Sequence, residues 1–299
     1  MISKQAQIAK GQLQKEVINP AVSLEEQRAD WNKYASMQAL ADGVSAQEEV
    51  IAGVECLWLL PENIIDEKLL IYAHGGGLVV GSIITHRTFV SHLSKYIGRK
   101  ILMVGYGLLP ENDFSKPMLD ISAVYRELLT KRNYDPQHIY FAGDSSGGGA
   151  CLSSLINLRT ENSALPKGFI AISGAFDASL QGQTMQSKND SDPVLSFDVL
   201  HHWQKQYFKG KIALDHPYVS PMFSKLGGLP EMLLIVGGDE VWLDDSIRVA
   251  DKVRAAAGLA ALIIFDQMWH VFVLDTQLPE SILAMEHIKT FLDNGSPTH

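Results

Sequence analysis

The sequence predicts an α/β fold with a mostly parallel central sheet flanked by helices, and three observations carry that reading. Short apolar runs recur at 54–60, 69–73, 101–105, 139–142, 169–172, 232–236 and 262–265, nearly continuous in Val, Ile and Leu. Strands buried on both faces have this composition, whereas half-exposed strands alternate apolar and polar positions. Helix-length segments separate several of the runs, for example 115–131, 147–159, 244–257 and 279–292. Such alternation implies parallel strands joined by crossover helices on both sides of the sheet. Third, IYFAGDSSGGG at 139–149 takes a strand pattern through a glycine-rich turn directly into a helix pattern.

The remaining segments attach to that core. Residues 1–45 read as N-terminal helices, with Ser23 and Glu26 spaced as a capping box and Leu24, Trp31 and Ala35 on one face. Strand and helix patterns fill 46–176 and resume over 216–299. The interval 177–215 breaks the rhythm with a polar loop, QGQTMQSKNDSDP, and an aromatic-rich helical stretch over 197–208. An insertion of this size, joined by the N-terminal helices, predicts a cap over the carboxyl ends of the strands, where ligands bind in such sheets.

Composition limits the partners. Across 299 residues the hydrophobic fraction of 46% suffices for a large core, and a net charge of −9 disfavours a dedicated nucleic-acid binder. Two cysteines, Cys56 and Cys151, are too few for a disulfide framework. The opening MISKQAQIAKGQLQKEV lacks a signal-peptide core, and no stretch approaches about 18 consecutive apolar residues. The expectation is a cytoplasmic protein without a membrane span.

Within the turn, Gly143-Asp144-Ser145-Ser146-Gly147 has the form G-x-S-x-G. By composition this pattern arises by chance in roughly one chain in ten of this length, so its context decides. A sharp strand-to-helix turn places the central serine in strained backbone angles and lifts its hydroxyl above the sheet. Only residues without side chains fit two positions before and after it. The helix N-terminus beneath favours developing negative charge. Ser145 is therefore the candidate nucleophile; Ser146 has its glycines at the wrong offsets. The phosphate-loop patterns G-x-x-x-x-G-K-[ST] and G-x-G-x-x-G are absent here.

A second glycine run, His74-Gly75-Gly76-Gly77, follows the 69–73 strand pattern. Consecutive glycines let the main chain approach a reacting carbonyl and turn N–H groups towards an oxyanion. The expected donors are the amides of Gly76, Gly77 and Ser146, with His74 anchoring the loop. Among ten histidines, His270 follows the last strand pattern through a short loop, the position a general base requires. The orienting acid should follow the 232–236 strand, where Asp239, Glu240, Asp244 and Asp245 compete. Asp244 and Asp245 read as N-terminal charges on the next helix, and spacing alone does not separate Asp239 from Glu240.

With HGGG at 74–77, GDSSGG at 143–148, LPEMLLIVGGDEVWLDD at 229–245 and MWHVF at 268–272, the chain resembles the hormone-sensitive-lipase-like (bacterial family IV) esterases. The resemblance implies an α/β-hydrolase fold with a helical cap, activity on short-chain esters and a homodimer. Laid on residues 229–244 without a gap, the family's acid block places Glu240 under its catalytic aspartate. Two departures stand out: Gly107 replaces the arginine of the family's Y-R-L-A-P-E segment, and Met268-Trp269 precede the base.

These residues predict a serine carboxylesterase working through an acyl-enzyme on small-molecule esters, with Ser145, Glu240 and His270 as catalytic residues and no cofactor or metal. Phe197, Trp203, Tyr207 and Phe208 are candidates to line its substrate pocket. A lactone or amide hydrolase with the same residues, or a non-catalytic ligand receptor, are the alternatives. A metal-dependent hydrolase is disfavoured because no H-E-x-x-H or C-x-x-C spacing occurs.

Overall fold

In the computed structural model, which describes residues 2–15 and 22–295, the apolar runs pair into one eight-stranded sheet. Its strands are β1 (Val44–Ile51), β2 (Val54–Pro61), β3 (Leu69–Ala73), β4 (Lys100–Gly105), β5 (Ile139–Asp144), β6 (Gly168–Ile172), β7 (Glu231–Gly237) and β8 (Ala260–Phe265), in the order β1-β2-β4-β3-β5-β6-β7-β8. The β1–β2 and β2–β4 pairs are antiparallel; every pair from β4 to β8 is parallel.

The helices are α1 (Lys4–Gln12), α2 (Leu24–Ser36), α3 (Ile83–Ile97), α4 (Lys116–Arg132), α5 (Ser145–Thr160), α6 (Thr184–Ser187), α7 (Phe197–Trp203), α8 (Leu243–Ala255) and α9 (Pro279–Asn294). Side chains alternate across the sheet. Ile71, Phe141, Phe169 and Leu234 pack on one side with Leu128 of α4, Leu152 of α5 and Val249 of α8. Leu70, Tyr140, Ile170 and Ile235 pack on the other with Phe89 of α3 and Ile288 of α9. Both faces are covered, which explains the unbroken apolar runs; each fully buried large side chain contributes about 1.5–3 kcal/mol.

Strand β1 escaped the sequence reading. It is an edge strand whose Ser45, Ala46, Gln47 and Glu48 are exposed, leaving little apolar signal. A two-residue turn at Ala52-Gly53, both with positive φ, pairs it along its whole length with β2.

The predicted capping box of α2 is present, with Ser23 and Glu26 bonded reciprocally. Of its expected apolar face Ala35 is buried, whereas Trp31 remains 37% exposed. Residues 1 and 16–21 of the expected N-terminal cap lie outside the described residues. Helix α1 is tied to α9 through Ser3 and Glu280, and α2 to the start of α3 through Asn32 and Ser82. Where the family arginine is replaced by Gly107, Glu111 pairs instead with Arg28 of α2, which also donates to the carbonyls of Val79 and Leu109. The 197–208 stretch is helical as expected: α7 runs into a single π-helical turn, Gln204–Phe208. Among the described residues, no helix is long and apolar enough to cross a membrane.

Candidate active site

Parallel register brings the loops after five strands to one edge of the sheet. Ala73 lies opposite Gly143, Asp144 and Ile235 both opposite Ile172, and Gly237 opposite Phe265. The HGGG segment, the serine turn, and the loops carrying Ser173, Glu240 and His270 therefore leave the sheet side by side.

Ser145 is the first residue of α5 and has φ +50°. That conformation costs an L-residue roughly 1–2 kcal/mol, so the surrounding structure must hold it. The hold is tight packing at the flanking glycines. A Cβ on Gly147 would lie 2.2 Å from the Ala73 carbonyl oxygen, and one on Gly143 would lie 2.7 Å from the Gly147 carbonyl carbon. Glycine is required at both offsets because main chain meets main chain there.

The Ser145 Oγ lies 3.1 Å from His270 Nε2. Behind the imidazole, Glu240 is fully buried, with Oε1 3.7 Å from His270 Nδ1. This is an ion-pair distance, longer than a hydrogen bond. The other carboxylate oxygen, Oε2, accepts from the Ser173 hydroxyl at 2.7 Å and the Gly237 N–H at 3.1 Å. Asp239, the competing acid, turns away and binds Lys10 of α1 at 2.7 Å and Lys188 at 3.1 Å. Spacing left Asp239 and Glu240 open and the family's acid block favoured Glu240; in the structure it is the Glu240 side chain that faces His270.

Burial works against the charged form of His270, but the facing Glu240 outweighs it, with smaller help from Asp192 and Asp144. The imidazole consequently titrates above the ordinary histidine value. Asp245 departs from its expected role as a helix-terminal charge. It sits in the first turn of α8 but is fully buried, accepting from the Phe176 N–H at 2.7 Å. Burial, reinforced by Asp177, pushes its carboxyl well above the usual range.

The glycine loop is held from below. Asp144, itself buried, accepts from Tyr72 Oη at 2.7 Å and the Gly75 N–H at 3.1 Å, and its second oxygen lies 3.4 Å from His86 Nε2. Burial disfavours its charge, yet His86, Tyr72 and His74 together keep its pKa below the ordinary carboxylate value. His74 stacks on Tyr106, whose hydroxyl donates to the His74 carbonyl at 2.6 Å. Burial and neighbouring His86 lower the His74 pKa to about 3, so this ring is a neutral part of the scaffold. The Leu78 N–H donates to Ser146 Oγ at 3.1 Å, stitching the loop to the serine turn. The N–H groups of Gly76 and Gly77 engage no acceptor among the described residues.

A pocket of about 590 Å³, its mouth included, opens beside Gly77 and Ser146. Its walls include Leu180, Leu200, Trp203, Phe208 and Trp242. Of the four aromatic candidates, Trp203 and Phe208 line it. Tyr207 instead packs edge-on to Trp203, and Phe197 stacks on His201. Trp203 lies so close to the loop that a Cβ on Gly77 would meet its ring at 2.5 Å. The contacts of Ser173, Asp144 and Trp242 were not legible in the sequence: Asp144 and Trp242 lie inside the quoted motifs, but no spacing there announces contacts so distant along the chain.

Fold and site together define an α/β-hydrolase. A family model described as the alpha/beta hydrolase fold matches residues 70–274. An esterase of Acinetobacter venetianus is 31% identical over 225 residues, 75% of this chain and 74% of that protein. An acetyl-hydrolase of Streptomyces hygroscopicus is 30% identical over 236 residues, 79% of this chain and 78% of that one. Among solved structures, an esterase from the bacterial hormone-sensitive lipase family superimposes with a TM-score of 0.91 at 31% identity, covering 98% of each chain. The chain belongs to the bacterial hormone-sensitive-lipase-like carboxylesterases, and it is a carboxylic ester hydrolase.

Proposed function

We propose that the chain hydrolyses short-chain carboxylic esters through a covalent acyl-enzyme on Ser145. The observation that carries this reading is the 3.1 Å contact between Ser145 Oγ and His270 Nε2, with Glu240 behind the ring. His270 takes the serine proton as Oγ attacks the ester carbonyl, and Glu240 orients the imidazole and stabilises its cation. The amides of Gly76, Gly77 and Ser146 receive the negative charge that develops on the carbonyl oxygen. His270 then protonates the departing alcohol. Water, deprotonated by the same base, releases the acid. The α1–α2 region and the 177–215 insertion act as the cap that shapes the substrate pocket.

The test is covalent labelling with a fluorophosphonate probe, read by intact mass and peptide mapping. One adduct on Ser145 is expected, absent from Ser145→Ala. An unlabelled wild type, or an adduct on another residue, rejects the mechanism and favours a ligand receptor.

Acyl-chain preference follows from the pocket walls. Trp203, Phe208 and Trp242 narrow a pocket that begins at the oxyanion loop. Four-carbon esters should be hydrolysed faster than long-chain ones, and Trp203→Ala should shift the optimum towards longer acyl chains. An unchanged chain-length profile in that variant would remove Trp203 from the acyl wall.

The pH dependence has a definite sign. His270 works as a neutral base, and Glu240 stabilises its cation, so protonation persists to higher pH than for an unperturbed ring. The acid limb of kcat/KM should therefore inflect above about 6.5, the ordinary histidine value. A limb inflecting below that value, with chemistry rate-limiting, contradicts the assignment.

A further inference from the structure

Glu240 is longer by one methylene than the aspartate found at this position in the resembled family, and a longer side chain needs a firmer hold. The support comes largely from Ser173, which lies just beyond the end of β6, is fully buried and has φ +50°. Its hydroxyl donates to Glu240 Oε2 at 2.7 Å and accepts from the Val271 N–H at 3.0 Å. Val271 directly follows His270 and has φ +50° as well. One hydroxyl thus joins the segment carrying the acid to the segment carrying the base. Its own main chain is anchored, since the Ser173 N–H donates to the Ile235 carbonyl at 2.7 Å. With Oε2 held by Ser173 and Gly237, only Oε1 is left to face His270 Nδ1, and neither of those two atoms has a hydrogen-bond partner among the described residues.

We infer that Ser173 is a positioning residue for the ester hydrolysis: it fixes the rotation of the Glu240 carboxylate and its separation from His270 through one shared hydroxyl. The inference rests on the serine-esterase reading above. The hydrogen bonds of the Ser173 hydroxyl among the described residues go to Glu240 and Val271 and not to Ser145, so its effect passes through the acid and base. The 3.7 Å separation closes to a hydrogen bond by a shift of roughly 0.5–0.8 Å, and Ser173 sets the direction from which the carboxylate approaches.

The test is a double-mutant cycle on the intact chain with a four-carbon ester. Ser173→Ala should lower kcat on the order of ten- to a hundredfold with KM little changed, the scale expected when the support of a catalytic group is lost. In a Glu240→Ala background the same substitution should have almost no further effect, because the group it positions is gone. Ser173→Gly guards against misfolding. It removes the hydroxyl while relieving the positive φ, so an activity loss equal to that of Ser173→Ala, without a fall in melting temperature, supports positioning. Wild-type kcat in Ser173→Ala, or an equal loss in both backgrounds, overturns the inference. Its failure is distinguishable from failure of the underlying mechanism: fluorophosphonate labelling of wild-type Ser145 would persist in the first case and be absent in the second.

Discussion

Replacing Ser145 with alanine is expected to lower turnover of a four-carbon ester by at least about three orders of magnitude. Under the proposed mechanism the substitution removes the atom that would form the acyl-enzyme, and it leaves its surroundings in place. Serine and alanine at φ +50° carry the same backbone strain, and the flanking Gly143 and Gly147 contacts are main-chain contacts that the change does not touch. Melting temperature should stay close to that of the wild type while the rate collapses. KM need not rise, because the pocket walls and the Gly76 and Gly77 amides remain to bind ester. The measurement is steady-state kinetics on purified wild type and variant, with burst kinetics to detect the acyl-enzyme in the former. A Ser145→Ala variant within tenfold of wild type would end the nucleophile assignment and direct attention to direct attack by water on the ester.

Gly76→Ala should cost on the order of 10²–10³ in turnover, for a reason that lies in the main chain. Gly76 has φ +119°, a conformation that L side chains rarely adopt. An added Cβ would lie 2.2 Å from the Val80 carbonyl oxygen and 2.6 Å from its carbon. Neither atom can withdraw cheaply: the Val79 and Val80 N–H groups donate to the Gly76 carbonyl at 3.0 and 2.9 Å, closing the turn on itself. Relief must come from rotating the 75–77 peptides, which turns the Gly76 and Gly77 amides away from the carbonyl oxygen of a bound ester. Fluorophosphonate labelling of Ser145 should slow as well, since its phosphoryl oxygen uses the same donors. Activity within threefold of wild type would remove the glycine loop from the oxyanion site.

The two expectations differ in what the sequence disclosed. Gly143, Ser145 and Gly147 were legible because the serine turn is a local structure: its steric demands fall on residues two positions apart, and the strand before and helix after it are visible as patterns. The glycine loop was legible for the same reason. His270 could be selected among ten histidines because chain order and the last strand pattern fix which loop it occupies. The choice between Asp239 and Glu240 was not legible from spacing. Adjacent residues differ by the direction in which each leaves the backbone, and here Lys10 and Lys188 draw Asp239 to one side while Ser173 and the Gly237 amide hold Glu240 on the other. Edge strand β1 was invisible because its exposed polar residues carry no burial signal, although β2 gives it a complete set of partners.

By itself the sequence determined the α/β class, most strands and helices, the serine turn and the glycine loop, and it set Ser145, the acidic block at 239–245 and His270 in that order along the chain. Each of these depends on local steric rules or on hydrophobic periodicity, which are properties of short windows. Only the tertiary structure decided that Glu240 faces His270, that Asp144 secures the glycine loop from below, and that Ser173 reaches residues 67 and 98 positions away. Those contacts arise from strand order and register, which bring distant loops to one edge of the sheet. No window of sequence contains that geometry, because it is set by the packing of the whole core.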